Sequence, residues 1–98
     1  MKRILFTRHA KSSHNLKIND HDRPLNSRGL SDAGMMGKRL LEKDIIPEYF
    51  ISSSAIRAYM TCKIISEKLQ NRTTLQLEKK IYDYGYNGVM NLIYRVSD

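Results

Sequence analysis

Ile4-Leu5-Phe6 is a short apolar run that stops abruptly at Thr7-Arg8-His9, and this change of character constrains the chain more than any other feature. A run this short, bounded by charge, reads as a buried strand rather than a helix face. In open α/β sheets, ligands bind beyond the carboxyl ends of the strands, where this one delivers a cation and an imidazole. Ala10, Lys11, Ser12, Ser13 and Asn15 follow, all small or able to donate hydrogen bonds. Such a loop suits phosphate. Taken alone, Arg8-His9 reads more readily as punctuation at a strand end, so the remaining segments must decide.

The polar stretch 10–26 carries Asn19, Asp20, Asp22 and Pro24, which predicts an irregular loop. Asn26 is placed to cap a helix in which Leu30, Ala33, Gly37, Leu40 and Leu41 share a face, ending near Lys43. Gly34 and Gly37 weaken that helix by roughly 1 kcal/mol each relative to Ala, and predict close approach to a sheet. After Pro47, Tyr49-Phe50-Ile51 reads as a second buried strand. Ser52, Ser53 and Ser54 offer an N-cap to a second helix, with Ala58, Cys62, Ile65 and Leu69 on one face and Ile56, Met60 and Ile64 beside them. Arg57 falls in its first turn, where side chain, backbone N–H groups and helix dipole can meet one anion. A plain surface arginine is the alternative.

Alternation over Thr73–Leu77 predicts a third strand, and the right-handed crossover rule makes the connections parallel. Gly85 and Gly88 bracket a turn, and Asn87 is expected to cap a last helix with Val89, Leu92, Ile93 and Val96 on its face. Tyr82, Tyr84 and Tyr86, with Lys79 and Lys80 nearby, suggest base stacking or, more simply, half-buried packing at the rim of a site. The pattern is α/β with a mostly parallel sheet.

A chain of 98 residues has room for one small domain, residues 1–98, which buries only about two-thirds of its unfolded surface. Its 41% apolar and 28% charged residues match an ordinary globular chain. No apolar run nears the roughly 20 residues that span a bilayer, and the N-terminus does not read as a signal peptide, so a cytoplasmic protein without a membrane partner is expected. Cys62, the single cysteine, shows no metal-ligand or redox spacing and reads as a small core residue. The formal charge of +7 steers anionic partners toward the surface. A phosphorylated protein, a phosphate ester and a nucleic acid all satisfy that condition.

Pro24-Leu25-Asn26-Ser27-Arg28-Gly29 follows the first loop, and Ser52-Ser53-Ser54-Ala55-Ile56-Arg57-Ala58-Tyr59-Met60-Thr61 follows the second apolar run. With Arg8-His9, these segments in this order resemble the histidine phosphatase (phosphoglycerate mutase-like) superfamily. The short first loop and Asp20-His21-Asp22-Arg23-Pro24-Leu25 resemble its SixA-like phosphohistidine phosphatase branch, although His14 stands where that branch commonly has a tryptophan. The resemblance implies a three-layer αβα fold around a mostly parallel sheet. It further implies that His9 is the nucleophile, that Arg8 and Arg57 clamp the phosphoryl group, and that Asn15 donates a further hydrogen bond. Guanidinium suits the clamp because it forks and never deprotonates. No metal or other cofactor is required. The general acid of mutase relatives follows the third strand, where Glu78 and Asp83 are the available acids; solvated loop charges are the alternative. The implied partner is a phosphorylated protein or a small phosphate ester.

Two other readings compete. One is a basic nucleic-acid- or protein-binding module, against which stands the lack of any binding motif. The other is an inactive chain that holds phosphate without turnover. In the family a further strand ends in a second catalytic histidine, and the sequence stops at Val96-Ser97-Asp98, with His14 and His21 both in the first loop. The resemblance therefore implies a C-terminally incomplete version of the fold, a slow catalyst on its own. It also implies an uncovered sheet edge that invites a homodimer or strand exchange.

Overall fold

A computed structural model describes residues 5–7, 9–13, 17–85 and 87–90. The order of elements is a 3₁₀ turn at Asp20–Asp22, α1 at Ser27–Glu42, β1 at Tyr49–Ser53, α2 at Ile56–Lys68, β2 at Thr74–Glu78 and α3 at Lys79–Tyr84. Strands β1 and β2 pair in parallel, Tyr49 opposite Thr74 and Ser53 opposite Glu78, with α2 as the crossover between them. The α/β class and the parallel sheet agree with the sequence.

Helix α1 starts where its cap predicts. The Asn26 side chain accepts from the Gly29 N–H at 2.8 Å, satisfying one of the orphan donors of the first turn. Its contact face is narrower than the periodicity suggests: Gly29, Ala33 and Gly37 are buried, whereas Leu30 is 42% exposed. Gly37 meets α2, not the sheet, whereas Gly29 lies against the backbone of Lys11 in the loop that follows His9. A Cβ added at Gly37 would stand 2.6 Å from the Lys68 Cβ and 3.1 Å from the Ile65 Cα. Expected approach to the sheet is thus corrected to approach between helices. Ile65 and Leu69 are completely buried, which contributes about 1.5–3 kcal/mol each.

Helix α2 buries Cys62 and Ile65 as expected, together with Thr61 and Ser66, and Leu69 is buried at its C-cap, while Ala58 of the expected face is only half-buried. Its cap differs: Ala55 takes the N-cap position with no side-chain bond. Ser53 accepts from the Ala55 N–H at 3.2 Å and Ser54 is engaged with His21, so the serines shape the turn without capping the helix.

Two further corrections concern the ends of the chain. Leu5 and Phe6 lie outside any strand and are 62% and 74% exposed, because no described residue supplies a ladder to so short a run; Ile4 lies outside the described residues. After β2, the Lys-rich stretch read as loop forms α3, capped by Glu78 accepting from the Lys80 N–H at 3.4 Å and closed by Gly85 at φ +54°. Residues 87–90 are helical, with Asn87 inside rather than before the helix, and Leu92, Ile93 and Val96 lie outside the described residues. No described helix is long and apolar enough to cross a membrane.

Candidate active site

The segment from His9 to Ser13 is laid against the approach to α1 by an antiparallel bridge, Ser12 opposite Leu25. Asn26 N–H donates to the Lys11 carbonyl at 2.9 Å and Ser13 N–H to that of Pro24, also at 2.9 Å. On the other side, Ala10 N–H donates to the Thr61 hydroxyl at 3.1 Å, and that hydroxyl donates to the Arg57 carbonyl at 2.8 Å. The loop that carries His9 is therefore tied to the first turns of both long helices. His9 itself is exposed.

The two ring nitrogens of His9 have different partners. Nδ1 lies 2.8 Å from the Ala10 carbonyl oxygen, and Nε2 lies 3.3 Å from Nε of Arg57. A guanidinium has only N–H donors, so Arg57 must donate and Nε2 must hold the lone pair. The ring proton then sits on Nδ1, where it can donate to Ala10. This tautomer turns an unprotonated nitrogen toward a cation.

Arg57 is the second residue of α2, and its side chain is only 13% exposed. Besides His9 it donates from Nη1 to the Asp20 carbonyl at 2.6 Å and from Nη2 to Asp20 Oδ2 at 3.1 Å. Asp20 also receives Arg23 Nη2 on Oδ1 at 2.8 Å and the Tyr82 hydroxyl on Oδ2 at 2.9 Å. The bonds from Arg23, Tyr82 and Arg57 hold its carboxyl far below the usual carboxylate range. The hydrogen bond to the same carboxylate pushes the Tyr82 phenol above its ordinary value, because the bond is lost with the proton and ionisation would then set two anions together. Arg23 is anchored in turn by Nη1 to the Ser12 hydroxyl at 3.0 Å and the Ser13 carbonyl at 2.8 Å. His21 packs edge-on against Tyr82 with centroids 4.7 Å apart and lies 2.9 Å from the Ser54 hydroxyl through Nε2.

The expected site residues thus divide. His9 and Arg57 are brought together, 48 residues apart in sequence. Arg8 and Asn15 lie outside the described residues. Glu78 caps α3, and Asp83 pairs with Lys79 at 3.7 Å one turn back on that helix. Of the tyrosines, Tyr82 packs half-buried as expected, Tyr84 is 63% exposed, and Tyr86 lies outside the described residues. Asp20, Arg23 and Thr61 were missed as site residues, although Asp20 and Arg23 stand in the very run that carries the branch resemblance. Among the described residues, no cluster of three or more His, Cys, Asp or Glu is arranged to hold a metal ion.

A neutral imidazole nitrogen beside a largely buried guanidinium can attack an electrophile whose oxygens the cation holds. A parallel α/β fold with that pair at a helix start defines a class of anion-handling sites, and the sequence comparison narrows it. The histidine phosphatase superfamily (branch 1) matches residues 4–92, and the chain belongs to that family. An uncharacterized chloroplastic protein of Arabidopsis thaliana is 38% identical over 63 residues, which make up 63% of this chain and 29% of that protein. The provisionally named phosphohistidine phosphatase SixA of Agrobacterium tumefaciens superposes with a TM-score of 0.79 at 23% identity, covering 89% of this chain and 56% of that one. Its namesake from Nakamurella multipartitia gives 0.68 at 22% identity, over 91% and 48% of the two chains. A protein histidine phosphatase SixA in complex with tungstate gives 0.67 at 19% identity, over 74% and 46%. The fold is that of the SixA structures, and the chain spans about half their length.

Proposed function

We propose that this chain carries the phosphoryl-accepting site of a histidine-type phosphatase, acting on a phosphohistidine protein or a phosphate monoester. The observation that carries the reading is the pair of contacts on His9, which leave Nε2 unprotonated and facing Arg57. Nε2 attacks phosphorus, the P–Nε2 bond forms as the bond to the leaving group breaks, and the leaving group departs with the bonding electrons. Water then cleaves the P–N bond, releasing phosphate and returning the imidazole. Arg57, with Arg8 and Asn15 as the family pattern implies, holds the non-bridging oxygens through charge-assisted bonds.

Glu78 and Asp83 remain the proposed sources of the leaving-group proton, and their engagement within α3 favours a substrate that asks little of an acid. A phosphohistidine, whose leaving group is an imidazole, is such a substrate. The family resemblance adds no metal to this sequence of steps.

The test is phosphate release from a phosphohistidine peptide and from an aryl phosphate, with tungstate as competitor. Slow hydrolysis, faster on the phosphohistidine peptide, blocked by tungstate and by His9→Ala and insensitive to EDTA, is expected. Equal rates in the wild type and His9→Ala would contradict the reading.

A further inference from the structure

We propose that Asp20 is the positioning residue of Arg57, fixing the guanidinium so that its Nε edge faces His9; this rests on the reading of the His9–Arg57 pair as the anion site. A guanidinium offers five N–H donors in one rigid plane. Asp20 takes one on Nη1 through its backbone carbonyl at 2.6 Å and one on Nη2 through Oδ2 at 3.1 Å. Both bonds lie on the outer edge. The Nε–H, donated to His9 Nε2 at 3.3 Å in the free chain, passes to an oxygen of an anion seated on that nitrogen.

Asp20 is suited to the task because it is itself held from two other directions. Arg23 grips Oδ1 and ties it to Ser12 and Ser13 of the His9 loop. Tyr82 reaches Oδ2 from α3, 62 residues away, with its ring set edge-on to His21. One carboxylate thus gathers two guanidiniums that would otherwise repel, and the group of three keeps a net positive charge. The sequence shows only an aspartate in a polar loop.

The alternative role for a carboxylate on an anion-binding arginine is competition, in which Asp20 occupies the guanidinium until phosphate displaces it. The two roles predict opposite signs. Asp20→Asn removes a negative charge beside the site, so Coulomb attraction and relief of competition would both tighten anion binding. Loss of positioning would weaken it.

The experiment is a tungstate titration of the full chain by calorimetry, comparing wild type, Asp20→Asn, Tyr82→Phe and Arg57→Ala, with the Arg57 Nε–H resonance followed in parallel. Asp20→Asn should weaken tungstate binding roughly tenfold, the scale of a lost charged hydrogen bond, and broaden or shift the Arg57 Nε–H signal in the free protein. Tyr82→Phe, which keeps the ring and removes only one support of Asp20, should move both readouts the same way by less; it decides the matter if Asp20→Asn fails to fold. Unchanged or tighter binding in these variants, with Arg57→Ala abolishing binding, would overturn the positioning role and leave the site intact. Tungstate binding that survives Arg57→Ala undiminished would overturn the site itself.

Discussion

The Thr61 hydroxyl accepts the Ala10 N–H at 3.1 Å across 51 residues of sequence, joining the first turns of α2 to the residue that follows His9. Thr61 is 4% exposed, so its hydroxyl works in a poorly hydrated place where a lost acceptor is not replaced by water. Thr61→Val keeps the shape but strands the Ala10 N–H. A stability loss of about 1–3 kcal/mol is expected in denaturant titrations, together with weaker tungstate binding. Thr61→Ser should restore most of both.

Gly34 and Gly37 stand one turn apart on α1 and should respond in opposite directions to the same substitution. A Cβ at Gly34 meets only the Lys68 Cε at 3.6 Å, an ordinary contact with the far end of a flexible chain. Gly34→Ala should therefore stabilise by roughly 0.5–1 kcal/mol through lower backbone entropy in the unfolded chain. At Gly37 the added carbon meets the Lys68 Cβ at 2.6 Å and the Ile65 Cα at 3.1 Å, neither of which moves without parting the helices. Overpacking of this kind costs about 1–3 kcal/mol and outweighs the helix propensity gained. Melting temperatures of the two variants on opposite sides of the wild type check the argument.

The bonds to Asp20 make stability depend on pH in a stated direction. Its carboxyl titrates lower in the folded chain than its ordinary value of 3.8, so the unfolded chain binds the proton more readily. The stabilisation is full above that ordinary value and is lost as pH falls below it toward the folded-state value. The stability gap between the wild type and Asp20→Asn should thus be constant from pH 5 to pH 7 and shrink in more acid solution, within about a pH unit or two of the ordinary carboxylate range. Because the Asp20 side chain is 55% exposed, raising the salt concentration should narrow the gap throughout. Tyr82 works from the other side: its phenol is raised above 10.0, so its contribution is full below that value and is lost as pH rises past it. Tyr82→Phe should remove that alkaline dependence. Thermal melts across both ranges are the measurement.

Local signals carried much of the fold. Asn26 announces α1, because a cap and a following periodicity are set within one turn, and the short apolar run Tyr49-Phe50-Ile51 announces β1, although Tyr49 is 58% exposed rather than buried. Helix α3 gave no such notice: its six residues have no apolar period, and Glu78 and Gly85 define it from outside. Leu5 and Phe6 show the converse, since an apolar run does not say whether a strand lies beside it, and among the described residues none does. In the site, Arg57 was legible as a helix-start cation and His9 as a residue that follows an apolar run, but their meeting rested on family resemblance. Asp20 was illegible as a hub. Its role is written in contacts 37 and 62 residues away, which no window of sequence contains.

The central claim is that Nε2 of His9 accepts a phosphoryl group, and phosphorus NMR of the chain treated with phosphoramidate tests it most directly. A small P–N donor needs no strong acid for its leaving group and no docking surface, so the measurement isolates the nucleophile and its cation. One acid-labile, alkali-stable phosphoryl group coupled to Nε2 of His9 is the expected result, absent in His9→Ala and much reduced in Arg57→Ala. A phosphoryl group on another residue, or one that forms equally well in His9→Ala, would contradict the account.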